Sequence, residues 1–150
     1  MVPLGFRSLR SPPGGSVLKR SVSMPAPALS KKVLVVEDDM AIAGLLTRSL
    51  QNEGFEVVAV HDGESGLVKC VEFRPDVLLL DVNLPKLDGF SVAKRLKATD
   101  ALKNIPIIFL TAKDRPTDMI QGIQAGAKHY LTKPFKLDEL ISKVRKLAGV

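Results

Sequence analysis

Acidic, hydroxyl and basic side chains stand where short apolar runs of this 150-residue sequence end. They are Glu37, Asp38, Asp39, Asp81, Thr111 and Lys133. Carboxylates that lie close together oppose each other's ionisation, and a divalent cation removes that conflict. Mg²⁺ prefers hard oxygen ligands and leaves room for phosphate oxygens. A carboxylate beside such a cation can attack phosphorus and form an aspartyl phosphate, and Asp81 is the best-placed candidate.

The basic and hydroxyl side chains suit the same chemistry. Phosphoryl transfer is helped mainly by positioning and by positive charge around the oxygens of the moving group. Lys133 supplies an ammonium on a long stem, and Thr111 supplies a hydroxyl donor. Asn83, two residues past Asp81, would place its backbone carbonyl near the metal. The predicted magnesium ligands are therefore Glu37, Asp38, Asp81 and the backbone carbonyl of Asn83.

These side chains meet if the apolar runs are parallel strands whose carboxyl ends share one edge of a sheet. From Lys31 onward, short β-branched runs alternate with helical segments, which is typical of βαβ units. The predicted strands are Val33–Glu37, Glu56–Val60, Val77–Asp81, Pro106–Thr111 and His129–Thr132. The predicted helices are Met40–Glu53, Gly63–Phe73, Gly89–Thr99, Thr117–Ala125 and Leu137–Ala148. Right-handed crossovers then predict an α/β, doubly wound (βα)5 flavodoxin-like fold with a five-stranded parallel sheet of order 2-1-3-4-5.

The net charge of +6 is confined to the first part of the chain. Residues 1–32 contain no acid, and their basic side chains are Arg7, Arg10, Lys19, Arg20, Lys31 and Lys32. The remaining 16 basic and 16 acidic side chains cancel over residues 33–150. We therefore expect no nucleic-acid binding by the folded part of the chain.

Residues 1–30 are rich in Pro, Gly and Ser and show no helical or strand period. They are predicted to be a disordered basic tail in front of one domain over residues 31–150. A transit or targeting peptide is one interpretation, but the segment has little amphipathic pattern. A translation start at Met24, or a loose extension, is favoured, and whether residues 1–30 belong to the mature protein stays open.

The sequence contains one cysteine and two histidines. Cys70 is interpreted as a partly buried thiol on a helix, and a single cysteine allows neither an internal disulfide nor a Cys-based metal site. His61 and His129 are interpreted as solvated or loop residues, because neither has a second metal ligand nearby in sequence. No apolar run approaches the roughly 18 residues that a membrane span requires, so a soluble protein of the reducing cytoplasm is expected.

Four segments resemble the motif blocks of the response regulator receiver (CheY-like) family of two-component signal transduction systems. They are Val33-Leu-Val-Val-Glu-Asp-Asp39, Leu80-Asp-Val-Asn-Leu-Pro-Lys-Leu-Asp-Gly89, Phe109-Leu-Thr-Ala112 and Tyr130-Leu-Thr-Lys-Pro-Phe135. The blocks occur in the order and at the spacing usual for that family. The resemblance covers essentially residues 32–150.

The resemblance implies a role for individual positions. Asp81 would accept a phosphoryl group from a phosphohistidine on a sensor histidine kinase or histidine phosphotransfer domain. Glu37 and Asp38 would be the acid pair at Mg²⁺. Thr111 would be the switch hydroxyl, and Lys133 would be the partner of the phosphate.

Three more implications concern the surroundings of the phosphate. Tyr130 occupies the aromatic switch position, and Asn83 and Lys113 would tune the lifetime of the phosphate. The Lys133–Pro134 peptide bond is expected to be cis, an isomer that is found almost only before proline.

Glu37 departs from the commonest family pattern, in which Asp stands at this position. Its extra methylene puts the metal affinity in doubt, and not the identity of the phospho-acceptor.

Two outputs are open for such a domain. Because the chain ends at Val150, directly after the fifth predicted helix, we expect a single-domain response regulator without an attached output domain. In the first reading, the face formed by the fourth helix, fifth strand and fifth helix binds a separate effector protein after phosphorylation. In the alternative reading, the protein is a phosphorelay intermediate that passes phosphate between histidine domains.

An enzyme that turns over a separate substrate is disfavoured. A DxD phosphatase would carry a second Asp where this chain has Asn83, and no G-x-G-x-x-G of a nucleotide-binding fold follows the first strand. Only self-catalysed phosphorylation and dephosphorylation are therefore expected.

Overall fold

The computed structural model describes residues 30–112 and 129–150. Lys31–Val150 form one compact unit. The predicted tail, apart from Ser30, lies outside the described residues. So do the predicted helix Thr117–Ala125 and the candidate residue Lys113.

Five parallel strands form one sheet in the predicted order 2-1-3-4-5. The strands are β1 (Lys32–Val36), β2 (Glu56–Val60), β3 (Val77–Asp81), β4 (Ile107–Ala112) and β5 (His129–Lys133). The register pairs Val36 with Leu80 between β1 and β3, and Asp81 with Leu110 between β3 and β4. The carboxyl ends of the strands therefore lie side by side along one edge, as the doubly wound prediction requires.

Four helices are described beside the sheet. They are α1 (Met40–Asn52), α2 (Gly63–Phe73), α3 (Gly89–Lys97) and α4 (Leu137–Ala148), the last being the fifth helix predicted from the sequence. An aspartate caps the start of each of the first three helices by accepting backbone N–H groups: Asp39, Asp62 and Asp88. Such caps satisfy donors that the first helical turn leaves unpaired.

The apolar residues form one cluster on each face of the sheet. On one face, Leu34, Leu78 and Leu80 pack with residues of α2 and α3. On the other face, Val33, Val35 and Leu79 pack with residues of α1 and α4. β1 and β3 are buried at nearly every position, as expected for strands that helices cover on both sides.

Cys70 lies on α2 in the first of these clusters and is fully buried. The sequence had predicted a thiol that is only partly buried. Burial raises the pKa of its thiol to about 12. None of the helices that the structure describes has the length and apolar character needed to cross a bilayer.

Candidate functional site

Glu37 follows the last residue of β1 and is fully buried. One carboxylate oxygen, Oε1, lies 2.7 Å from the Nζ atom of Lys133 at the end of β5. The other, Oε2, accepts the backbone N–H of Asp39 at 3.1 Å. The side chain is therefore fixed from two sides, by the Lys133 ammonium and by the peptide group between Asp38 and Asp39.

Asp81 is the last residue of β3 and is also buried. Its Oδ1 atom lies 3.4 Å from Lys133 Nζ. Burial, reinforced by the negative charge of Glu37, raises the pKa of Asp81 to about 7, against the opposing effect of Lys133. The carboxylate charge at Asp81 is thus costly in this position, which makes a bound cation more favourable.

Lys133 is the counter-ion of both acids. Its burial acts to lower its pKa, but the hydrogen bond that it donates to Glu37 and the charges of Asp81 and Glu37 outweigh burial, so the pKa of Lys133 lies above its usual range. The ammonium therefore stays charged through the physiological pH range. Its peptide bond to Pro134 is cis, as the resemblance implied.

Glu37, Asp38 and Asp81 offer carboxylate oxygens that all lie within 4.8 Å of one another. Oε1 of Glu37 is buried, and the Lys133 ammonium is its ion-pair partner among the described residues. Asp38, in contrast, is exposed, so the cluster opens to solvent. An all-oxygen set with one open side fits Mg²⁺, which binds through one or two carboxylates and keeps several waters.

Asp39 takes another role in the same loop. Its Oδ1 accepts the backbone N–H groups of Ala41 and Ile42, at 2.9 and 3.2 Å. It is thus committed to capping α1, which leaves Glu37 and Asp38 as the acid pair of the loop.

The loop after β3 is held against the site by close backbone packing. Gly89 donates its N–H to the carbonyl of Val82 at 2.9 Å. A Cβ atom at Gly89 would lie 2.3 Å from the carbonyl oxygen of Asp81. The start of α3 therefore fixes the backbone of the candidate phospho-acceptor, and glycine is required there for lack of space. Asn83 lies in this loop and is exposed.

The two candidate switch residues lie on neighbouring strands. Thr111, on β4, is buried, and its hydroxyl donates to the Ala112 carbonyl over a long 3.4 Å. Tyr130, on β5, is half-buried, and its ring stacks on Phe109 with a centroid distance of 5.8 Å. Phe109 in turn contacts Phe90 of α3 edge to face at 5.1 Å. The Tyr130 ring is thus connected to α3 through Phe109.

His61 was underestimated from the sequence. It is half-buried, and its Nδ1 atom lies 3.0 Å from the backbone carbonyl oxygen of Glu37. The sequence held one usable signal, namely that His61 follows β2, whose carboxyl end borders that of β1. The prediction of a solvated residue is therefore wrong, because the ring is half-buried and forms a hydrogen bond with the backbone.

Comparison with known proteins agrees with this geometry. Residues 33–145 match the family model of the response regulator receiver domain. The chain is 40% identical over 116 residues to the DNA-binding dual master transcriptional regulator RpaA of Synechocystis, covering 77% of this chain and 48% of that protein. It is 43% identical over 119 residues to response regulator MprA of Mycobacterium tuberculosis, covering 79% and 51%. The chain thus spans about half the length of these curated relatives.

Solved structures give the same result. The receiver domain of sensor histidine kinase PA1611 from Pseudomonas aeruginosa, which has a magnesium ion coordinated in its active-site cleft, matches with a TM-score of 0.74 and 33% identity, over 81% of this chain and 99% of that one. Chemotaxis response regulator CheY4 of Vibrio cholerae matches with a TM-score of 0.73 and 33% identity, over 79% and 98%. The chain belongs to the response regulator receiver family of two-component signalling.

Proposed function

We propose that this receiver domain accepts a phosphoryl group on Asp81, in a Mg²⁺-dependent reaction, from a phosphohistidine of a sensor histidine kinase or histidine phosphotransfer domain. The observation that carries the proposal is the cluster of three carboxylates within 4.8 Å, with Lys133 in contact with two of them. The cluster supplies a nucleophile, a cation site and a fixed positive charge in one place.

Each residue has a defined part in this reaction. The ionised carboxylate of Asp81 attacks phosphorus, a P–O bond forms, and the P–N bond to the donor histidine breaks as its nitrogen recovers the electron pair. Lys133 stabilises negative charge on the phosphoryl oxygens. Glu37, Asp38 and the Asn83 carbonyl would hold Mg²⁺ beside Asp81. Bound Mg²⁺ supplies positive charge that favours ionised Asp81 and offsets charge on the phosphoryl oxygens.

The signal would arise from redirected hydrogen bonding. The long 3.4 Å contact of the Thr111 hydroxyl is weak, so a phosphoryl oxygen on Asp81 can compete for this donor. Movement of Thr111 would leave space for the Tyr130 ring and shift the population toward the active state. Lys113 and Asn83 would tune how long the phosphate lasts.

The test is intact-mass analysis after incubation with acetyl phosphate and Mg²⁺. We expect a gain of one phosphoryl group, about 80 Da, that disappears in EDTA and in Asp81→Asn. Asp100→Asn is the matched control, because Asp100 is exposed and its ion-pair partner is Lys103 and not a residue of the carboxylate cluster. A phosphoryl gain that survives Asp81→Asn would contradict the assignment of the acceptor.

A second part of the proposal concerns how the phosphorylated domain passes on its signal. A separate effector protein would bind the face formed by the predicted fourth helix, β5 and α4, with no turnover of another substrate and no nucleic-acid binding by the folded domain. RpaA is a DNA-binding regulator, but residues 33–150 of this chain carry balanced charge. A location in the reducing cytoplasm, expected because the sequence has a single cysteine, stays a prediction.

The alternative output, a phosphorelay intermediate, rests on the same site. Mixing the phosphorylated chain with isolated histidine phosphotransfer domains separates the two readings. Rapid transfer to such a domain favours the relay, whereas a stable phosphoprotein that binds an effector favours the switch.

A further inference from the structure

His61 directly follows β2 and connects this strand to the acid pair. Its Nδ1 atom lies 3.0 Å from the carbonyl oxygen of Glu37. A carbonyl oxygen can only accept a hydrogen bond, so Nδ1 carries the proton and donates. The backbone N–H of Glu37 donates to the Val60 carbonyl at 3.0 Å. Both polar backbone groups of Glu37 are thus held by the end of β2.

The bonded carbonyl belongs to the peptide unit that joins Glu37 to Asp38. The orientation of this peptide plane decides the direction in which the chain leaves β1. It therefore decides where the exposed Asp38 carboxylate stands relative to the buried Glu37 carboxylate. Hydrogen bonds that orient metal ligands in this way commonly govern metal affinity.

The turn that begins with His61 also contacts the second loop of the site. Gly63 donates its N–H to the Pro85 carbonyl at 3.3 Å. A Cβ atom at Gly63 would lie 1.7 Å from the carbonyl oxygen of Leu87, so the two backbones are in direct contact. The loop that contains Pro85 and Leu87 begins at Val82, directly after Asp81. The turn from His61 to Gly63 therefore braces both loops that lead away from the carboxylates.

We propose that His61 is a positioning residue for the magnesium site. Its Nδ1–H holds the peptide plane between Glu37 and Asp38, and this contact sets the affinity for Mg²⁺ without touching the metal or the phosphoryl group. The inference rests on the proposed function, since it requires Mg²⁺ to bind at Glu37, Asp38 and Asp81.

Two amides of different length provide the test. In His61→Asn, the carboxamide nitrogen takes the place of Nδ1 and keeps the donor. In His61→Gln, one more methylene places the same amide group at the position of Nε2, so no donor remains at the position of Nδ1. In His61→Leu, the side chain has no donor at all. The measurement is isothermal titration calorimetry with MgCl₂ on the full chain, with urea denaturation in EDTA as a check of folding.

We expect His61→Leu and His61→Gln to weaken Mg²⁺ binding about tenfold, at the lower end of the range for residues that orient metal ligands, and His61→Asn to stay close to wild type. At saturating Mg²⁺, the phosphorylation rate of all three variants should approach that of wild type. This split between metal affinity and maximal rate would not follow from a general loss of structure.

Unchanged Mg²⁺ affinity in His61→Leu would overturn the positioning role. An equal loss of Mg²⁺ affinity in His61→Asn and His61→Gln would also overturn it, because the loss would then not depend on a donor at the position of Nδ1. A folded wild-type chain that binds no Mg²⁺ would contradict the proposed function itself, and this inference with it. Normal wild-type binding with unchanged variants would contradict this inference alone.

Discussion

Asp81 shows how a functional carboxylate can cost stability. Its pKa is raised from 3.8 to about 7 in the folded protein, first by burial and then by Glu37. Between these two values the native state holds a proton that the unfolded state has lost. The stability contributed by this proton is complete below the unfolded pKa and is lost as the pH rises through 7.

We therefore expect Asp81→Asn to raise the free energy of unfolding in EDTA at pH 8 by about 1–3 kcal/mol, because the amide removes a buried negative charge. The difference from wild type should shrink as the pH falls from 7 towards 4. Urea denaturation at several pH values measures it, with Asp100→Asn as the exposed control. A stabilisation that does not change with pH would contradict the raised pKa.

Lys133 compensates the two buried acids when no metal is bound. The substitution Lys133→Met keeps the length of the side chain and removes its charge, which leaves Glu37 and Asp81 without their cation. We expect a loss of about 1–3 kcal/mol in EDTA, less than for a fully buried pair because Lys133 is partly exposed.

Mg²⁺ should restore more stability to Lys133→Met than it adds to wild type, since the metal no longer shares the carboxylates with an ammonium. Thermal melts with and without MgCl₂ measure the difference. Lys103→Met is the control, because Lys103 pairs only with the exposed Asp100 among the described acids. Equal Mg²⁺-induced shifts in Lys133→Met and wild type would argue against the shared carboxylates.

At the scale of elements, the start of α3 fixes the end of β3. Gly89→Ala would place a Cβ 2.3 Å from the Asp81 carbonyl oxygen. We expect a loss of about 1–3 kcal/mol from overpacking, together with slower phosphorylation because Asp81 is displaced. Urea denaturation and the mass assay measure the two effects.

Gly44→Ala in α1 is the matched control for that substitution. The nearest atom to its added Cβ is the flexible Arg48 Nη1 at 3.2 Å, which can move away. Alanine at this mid-helix position should add about 0.5–1 kcal/mol of stability. If both glycine substitutions changed stability in the same direction, the contact with Asp81 would not explain the result.

The periodicity of the sequence predicted the elements well, because buried parallel strands and amphipathic helices have distinct apolar patterns. The element ends were less exact for local reasons. β4 begins at Ile107 and not at Pro106, since proline has no N–H to donate. α1 ends at Asn52 and not at Glu53, and α3 at Lys97 and not at Thr99. Predicted β1 extended to Glu37, but the strand ends at Val36.

The candidate site was predictable to the extent that topology decides it. Parallel strand ends meet at one edge, and this alone brings Glu37, Asp81 and Lys133 together. Topology also places His61 beside the end of β1, but it does not predict the hydrogen bond of His61 to Glu37. This hydrogen bond depends on the direction of one side chain and one carbonyl group, which no apolar pattern encodes.

At the scale of the whole molecule, charge is divided unevenly along the chain. The compact unit Lys31–Val150 carries nearly balanced charge, whereas the preceding residues carry basic side chains and no acid. We expect the unit alone not to bind generic duplex DNA, and the full chain to bind it only weakly and in low salt.

Fluorescence anisotropy with labelled DNA at two salt concentrations tests this expectation. The comparison uses the full chain and a fragment of residues 31–150. Tight binding by the fragment, equal to that of the full chain, would contradict the prediction.

The burial of Cys70 has an experimental consequence. Because its thiol lies in the core under α2 with a pKa raised to about 12, a thiol reagent can modify it only when this part of the protein opens. The sequence contains no other cysteine, so the modification rate reports a single position. The rate of thiol modification therefore measures how often the core around Cys70 opens. Comparing this rate with and without phosphate on Asp81 would show whether phosphorylation makes such opening more or less frequent.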